Sequence, residues 1–106
     1  MTSEVPRRRL GVNGPLVSAI GFGGAVLSPG YYEPVEDAGC IDTLRYAIDA
    51  GINLIDTSDV YGVGHNEELI GRAIAGRRDR VFVASKFGWV IDGSPGREVQ
   101  VNYDMP

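Results

Sequence analysis

The sequence holds one cysteine, one histidine and one tryptophan, and no apolar run of membrane-spanning length. A lone Cys40 excludes an internal disulfide and points to a reducing compartment. It lies in a helical pattern beside Ile41, which reads as a small core residue rather than a nucleophile. His65 is the sole histidine, and no His/Cys/carboxylate set has metal-ligand spacing, so no metal is expected. Residues Met1 to Leu10 lack the apolar region of a secretory leader, so a cytoplasmic protein with no membrane partner is expected. Basic charge is also scarce: 10 Lys and Arg stand against 14 Asp and Glu, a net −4, which argues against a nucleic-acid partner. Arg7-Arg8-Arg9 reads as a solvated strand end. No Gly-x-Ser-x-Gly elbow occurs, which removes that hydrolase signature.

What remains is an alternation of short apolar runs and amphipathic segments within 106 residues, a length that suits one domain. Val12-Asn13-Gly14 lies between the short runs Arg8–Gly11 and Pro15–Ser18, a hairpin signal over residues 8–18. Ala19-Ile20-Gly21-Phe22-Gly23 reads as a strand and Ser28 to Pro34 as a loop. From Glu36 the apolar positions Ile41, Leu44, Ala47 and Ile48 form one helical stripe, closed by Gly51. Ile52 to Ile55 is a strand stopping at Asp56. Asn66 reads as the N-cap of a second helix, with Glu67 and Glu68 complementing its positive end. Leu69, Ile70, Ala73 and Ile74 make its stripe, and Gly76 stops it. Val81 to Ala84 is a buried strand ending at Ser85-Lys86, and beyond Gly88 the chain reads as loop. The order is hairpin followed by β-α-β-α-β, an α/β pattern with a parallel sheet and right-handed crossovers. Three such strands do not close a barrel, so an exposed sheet edge and possible self-association through it are expected.

Ligands of β/α folds gather beyond the C-terminal strand ends, where Asp56 and Lys86 both fall. Tyr61 follows Asp56 by five residues, close enough to fold back over the pair. A free phenol, with a pKa near ~10, is too weak an acid at neutral pH. A neighbouring ammonium stabilises the phenolate, and a carboxylate keeps that ammonium charged and oriented. Such a phenol can protonate a carbonyl oxygen. Spacing alone leaves a second reading open, in which Asp56 is a turn residue, Tyr61 packs at a loop mouth and Lys86 neutralises Asp56. Gly21-Phe22-Gly23-Gly24-Ala25-Val26 is not a dinucleotide fingerprint: Val26 occupies the third-glycine position, and a proline-bearing loop follows instead of a helix. His65, between Gly64 and Asn66, reads as a loop residue.

The stretch Gly51-Ile52-Asn53-Leu54-Ile55-Asp56-Thr57-Ser58-Asp59-Val60-Tyr61-Gly62, continued by Asn66-Glu67-Glu68-Leu69-Ile70-Gly71-Arg72-Ala73, resembles the aldo-keto reductase family. The likeness extends back to Arg9-Leu10-Gly11, Val17-Ser18 and Ile20-Gly21-Phe22-Gly23-Gly24, and forward through Arg80 to Gly88. Gly62-Val63-Gly64 looks like the bacterial-type and channel-β-subunit-type branches. The resemblance implies the N-terminal part of a (β/α)8 TIM barrel preceded by a hairpin. Residues 1–106 would form a partial domain, with hairpin 8–18, β/α units 19–88 and loop 89–106. It also implies reduction of a small carbonyl substrate with NADPH. NADPH rather than NADH rests on the resemblance alone.

Asp56, Tyr61 and Lys86 fall on the family's catalytic Asp, Tyr and Lys, with Tyr61 the general acid. Gly23, Gly24, Ala25 and Asp56 match its cofactor-contacting positions. Trp89 and Tyr31-Tyr32 fall where substrate-pocket residues would lie. The family's catalytic histidine follows its fourth strand and is not matched by His65. The 106 residues alone are therefore expected to be inactive, and the alternative is a non-catalytic half-barrel module that associates with another chain.

Overall fold

The computed structural model describes residues 5–29, 35–88, 90–91 and 101–102. Strands β1 (Arg7–Arg9) and β2 (Leu16–Ser18) form the expected hairpin, antiparallel with Arg8 opposite Val17. The three arginines of β1 are all exposed. The link between the strands is longer than the expected Val12-Asn13-Gly14. The connection runs from Leu10 to Pro15, with Gly11 at φ 77° and the Leu10 N–H donating to Pro15 O at 2.9 Å. Asn53, whose role the sequence pattern did not indicate, fastens this hairpin to the domain. Its Oδ1 accepts from the Ser18 N–H at 2.6 Å, its Nδ2 donates to Leu16 O at 3.1 Å, and its N–H donates to Ser18 Oγ at 3.1 Å.

Strands β3 (Phe22–Gly23), β4 (Leu54–Asp56) and β5 (Phe82–Ala84) form a parallel sheet in that order. The expected strand from Ala19 is shorter than its sequence pattern. Ser18 Oγ donates to Ile20 O at 2.7 Å, so that carbonyl is turned away from a ladder, and Ile20 is exposed. Helix α1 (Asp37–Asp49) links β3 to β4 and ends as the sequence indicates. Gly51 takes φ 116° and the Ile52 N–H closes back on Ala47 O at 3.0 Å, the left-handed C-terminal cap that glycine favours. Helix α2 (His65–Ala73) links β4 to β5.

Phe22, Ile55 and Val83 share one register row, and Gly23, Asp56 and Ala84 the next. Successive residues of a strand point to opposite faces, so the two rows serve different surfaces. Ile55 is buried against the helices with Ile41, Leu44 and Ile48 of α1, Leu69, Ile70 and Ala73 of α2, and Val81; Phe22 packs at its margin. Burying each of Leu44, Leu69 and Ile70 contributes about 1.5–3 kcal/mol, so the helix stripes read from the sequence supply the core. Cys40 is part of it, as expected. Strand β5 is exposed throughout, and Phe82 and Val83 leave apolar surface at the sheet edge.

Residues 89–106 are not wholly loop. Strands β6 (Val90–Ile91) and β7 (Val101–Asn102) pair antiparallel, as β-branched residues flanking a Gly/Pro-rich stretch favour. No helix among the described residues is long and apolar enough to cross a membrane.

Candidate active site

The parallel register sets Asp56 beside Ala84, and two residues further on Lys86 clears the end of β5. Its ammonium turns back over β4, where it donates to Asp56 Oδ2 at 2.8 Å, to the Thr57 carbonyl at 2.7 Å and to the Tyr61 hydroxyl at 3.3 Å. The ammonium therefore has an acceptor for each of its three protons. The last bond is at the long end of the N–H···O range, and Nζ also stands 5.0 Å from the Tyr61 ring centroid. The three residues that the sequence pattern grouped, 25 and 30 positions apart in their pairings with Lys86, thus meet at one nitrogen.

Partial burial works against the charge on Lys86. The hydrogen bonds to Asp56 and Tyr61, and the Asp56 carboxylate, outweigh it and hold the ammonium pKa above its ordinary value. Asp56 and Lys86 keep about half of their side-chain surface in water, at 50% and 42% exposed, so the pair orients and maintains charge more than it stabilises the fold.

Tyr61 is carried by a tight turn between β4 and α2. Its N–H donates to Ser58 O at 3.2 Å, and Gly62, Val63 and Gly64 follow at φ 63°, 52° and 91°. A Cβ at Gly62 would stand 2.9 Å from His65 Cβ, so both space and backbone require glycine there. Gly64, not Asn66, is the N-cap of α2. The preceding turn supplies the carbonyls that the first helical N–H groups need: Gly62 O takes His65 N–H at 3.4 Å, Tyr61 O takes Asn66 N–H at 3.2 Å and Gly64 O takes Glu68 N–H at 3.1 Å.

Asn66 instead points inward and is fully buried. Its Oδ1 accepts from Thr57 Oγ1 at 2.6 Å, and its Nδ2 donates to Gly24 O at 2.7 Å and Ser28 Oγ at 2.9 Å. A signal for this was present: Asn66, Leu69, Ile70 and Ala73 lie on one stripe, so position 66 faces the core. His65 is not a loop residue but the first of α2. Its Nδ1 meets Ser28 Oγ at 2.8 Å and its Nε2 meets Asp37 Oδ1 at 2.8 Å, so it ties α2 to α1 away from Lys86.

The glycine stretch divides by position. Gly23 is exposed, shares the Asp56 register row, and a Cβ built there meets nothing within 4 Å. It offers a smooth, open ledge beside the carboxylate, which fits a planar group lying against the backbone. Gly24 is committed to the protein: its N–H donates to Asp56 O at 2.8 Å, and a Cβ would stand 2.7 Å from Asn66 Oδ1 and 2.9 Å from Asp56 O. Ala25, half-buried, opens a short 3-10 turn. Trp89, Tyr31 and Tyr32 lie outside the described residues.

Comparison with known proteins places the sequence and the fold in a family. The profile of the aldo/keto reductase family matches residues 19–104. Over 99 residues the chain is 37% identical to a Glycine max protein named "Probable aldo-keto reductase 1", covering 92% of this chain and 29% of that protein. The fold superposes on the glycerol dehydrogenase from Gluconobacter oxydans with a TM-score of 0.74 at 34% identity, over 92% of this chain and 30% of the other. An aldo/keto reductase from Klebsiella pneumoniae, solved with NADP and acetate, is 38% identical over 68% of this chain and 24% of its own, with a TM-score of 0.60. The solved relatives are (β/α)8 barrels, and the chain, with its hairpin and β/α units, spans 24% to 30% of the length of the three proteins.

Proposed function

This chain belongs to the aldo/keto reductase family, and on that premise we propose that it carries the proton-donating corner of an NADPH-dependent reductase of aldehydes or ketones. One observation supports the reading above the others: a single ammonium, Lys86 Nζ, touches both the Asp56 carboxylate and the Tyr61 hydroxyl. Gly23 and Asp56, with Ala25 beside them, would form the part of the cofactor site that this chain contributes. NADPH, when bound, supplies the hydride that reduces a carbonyl carbon.

Tyr61 gives its phenolic proton to the carbonyl oxygen as negative charge develops there. Its oxygen accepts from Lys86, so the phenol acts as donor toward substrate while the ammonium stabilises the phenolate left behind. Asp56 and the Thr57 carbonyl hold Lys86 in place and charged. A small carbonyl compound is the proposed substrate class, and the cytoplasm the proposed compartment. The family's catalytic histidine has no matching position in these residues, so the activity is assigned to the barrel as a whole.

Titrating the chain with NADPH, followed by the cofactor's own fluorescence, tests this. Saturable enhancement that Tyr61→Phe leaves intact and Gly23→Leu abolishes supports the reading. A folded sample with no saturable change removes the cofactor site from this chain.

A second reading rests on the exposed Phe82 and Val83 of β5, which suit a half-barrel that pairs its free edge with another chain. Sedimentation giving a folded monomer across a wide concentration range would exclude it.

A further inference from the structure

Thr57 stands at the junction of two bond systems. Its carbonyl accepts from Lys86 Nζ at 2.7 Å, while its hydroxyl donates to Asn66 Oδ1 at 2.6 Å. Its N–H donates to Ala84 O at 2.8 Å, which fixes the backbone at the height where β5 delivers Lys86. Asn66 spends its two amide protons on Gly24 O and Ser28 Oγ. The Thr57 hydroxyl donates to Asn66 and Asn66 donates to Gly24 and Ser28; Ser28 Oγ in turn meets His65 Nδ1, and His65 Nε2 meets Asp37. Gly24 O can only accept, which fixes the Asn66 amide orientation. Asn66, Thr57 and Ser28 are all almost fully buried, so a lost partner cannot be replaced by bulk water.

We infer that Asn66 is a positioning residue, coupled through Thr57 to the Lys86 ammonium and through Gly24 to the glycine ledge. It thereby sets the spacing between the proton-donating corner and the surface proposed for the cofactor. The inference rests on the reductase reading for its functional meaning, but its structural content is independent of it. A helix-borne amide is well placed for this role, because Leu69, Ile70 and Ala73 anchor α2 in the core. The carboxamide is thus held by a rigid element rather than by the loops it joins. Neither Asn66 nor Thr57 faces substrate. Both act on groups that do.

The test uses Thr57→Val, which keeps the side-chain shape and removes the donor, with Thr57→Ser as the conservative rescue. Asn66→Leu is the direct but more disruptive variant. Ile48→Val, a core change that removes no hydrogen bond of the network, serves as the stability control. In the 15N-labelled chain, Thr57→Val is expected to shift both the Gly23–Ala25 amide resonances and the Lys86 ammonium resonance, while Ile48→Val shifts neither and Thr57→Ser restores both. NADPH binding should weaken about tenfold in Thr57→Val and recover in Thr57→Ser. If Thr57→Val moves the two sets of resonances no more than Ile48→Val does, the coupling is refuted. If the resonances move together but the unaltered chain binds no NADPH, the positioning stands and the cofactor reading falls.

Discussion

Lys86 Nζ lies 2.8 Å from Asp56 Oδ2, joining the ends of two neighbouring parallel strands. The bond raises the ammonium pKa despite the opposing effect of burial. A folded-state pKa above the unfolded value near ~10.4 gives stability that is complete below that value and fades as pH rises through the folded one. The chain should therefore lose more stability between neutral pH and about 11 than Lys86→Met does. Urea melts of both proteins across that range check this; parallel pH profiles would remove the coupling. Solvent screening keeps the effect small.

Gly23 and Gly24 should respond in opposite ways to the same substitution. Gly24→Ala forces a Cβ against Asn66 and the Asp56 carbonyl, which costs about 1–3 kcal/mol. Gly23→Ala meets open space and should stay within about 0.5 kcal/mol of the parent. Chemical denaturation separates them, and equal losses would show that the two positions are not differentiated as described.

Val63 sits at φ 52° in the turn that carries Tyr61, a region that β-branched residues avoid, and it is half exposed. Val63→Asn should stabilise the chain by about 1 kcal/mol, because asparagine tolerates the left-handed region and little packing is lost. A lower thermal midpoint for this variant would mean that the valine side chain matters more than its backbone strain.

Asp37 receives a hydrogen bond from His65 and faces Arg72 as well, which together hold its carboxyl below the usual range. A depressed folded-state pKa contributes stability above the unfolded value near ~3.9, lost as pH falls through the folded one. Asp37→Asn should flatten the acid limb of the stability profile below about pH 4. Circular dichroism during acid titration reads this directly, and an unchanged acid limb would show that Asp37 does not contribute to it.

The helices and the order of the elements were legible in the sequence because they depend on local periodicity. The stripe Ile41-Leu44-Ile48 and the cap at Gly51 each express a rule that operates within a few residues, and both appear where expected. The hairpin was legible as an element, but its turn was not. Asn13-Gly14 satisfies a local preference, whereas the observed six-residue connection answers to the docking of Ser18 and Leu16 on Asn53. The two-residue pair beyond Gly88 was hidden for a related reason. Pairing strands that short requires a partner ten or more positions away.

The sequence by itself determined the residue types at the strand ends: an acid at 56, a phenol at 61 and an ammonium at 86. It left open whether Lys86 only neutralises Asp56 or reaches Tyr61 as well. The parallel register of β4 and β5 decided that, by bringing one ammonium within reach of both others. Asn66 shows the same division. Its side chain could cap its own helix or reach outward, and local preference favours the cap. Tertiary packing turned it into the core, where unpaired polar groups are costly, and its partners are Thr57, just past β4, and Gly24 and Ser28 of the turn after β3. Local preferences are set by neighbours in the chain; the site was set by neighbours in space.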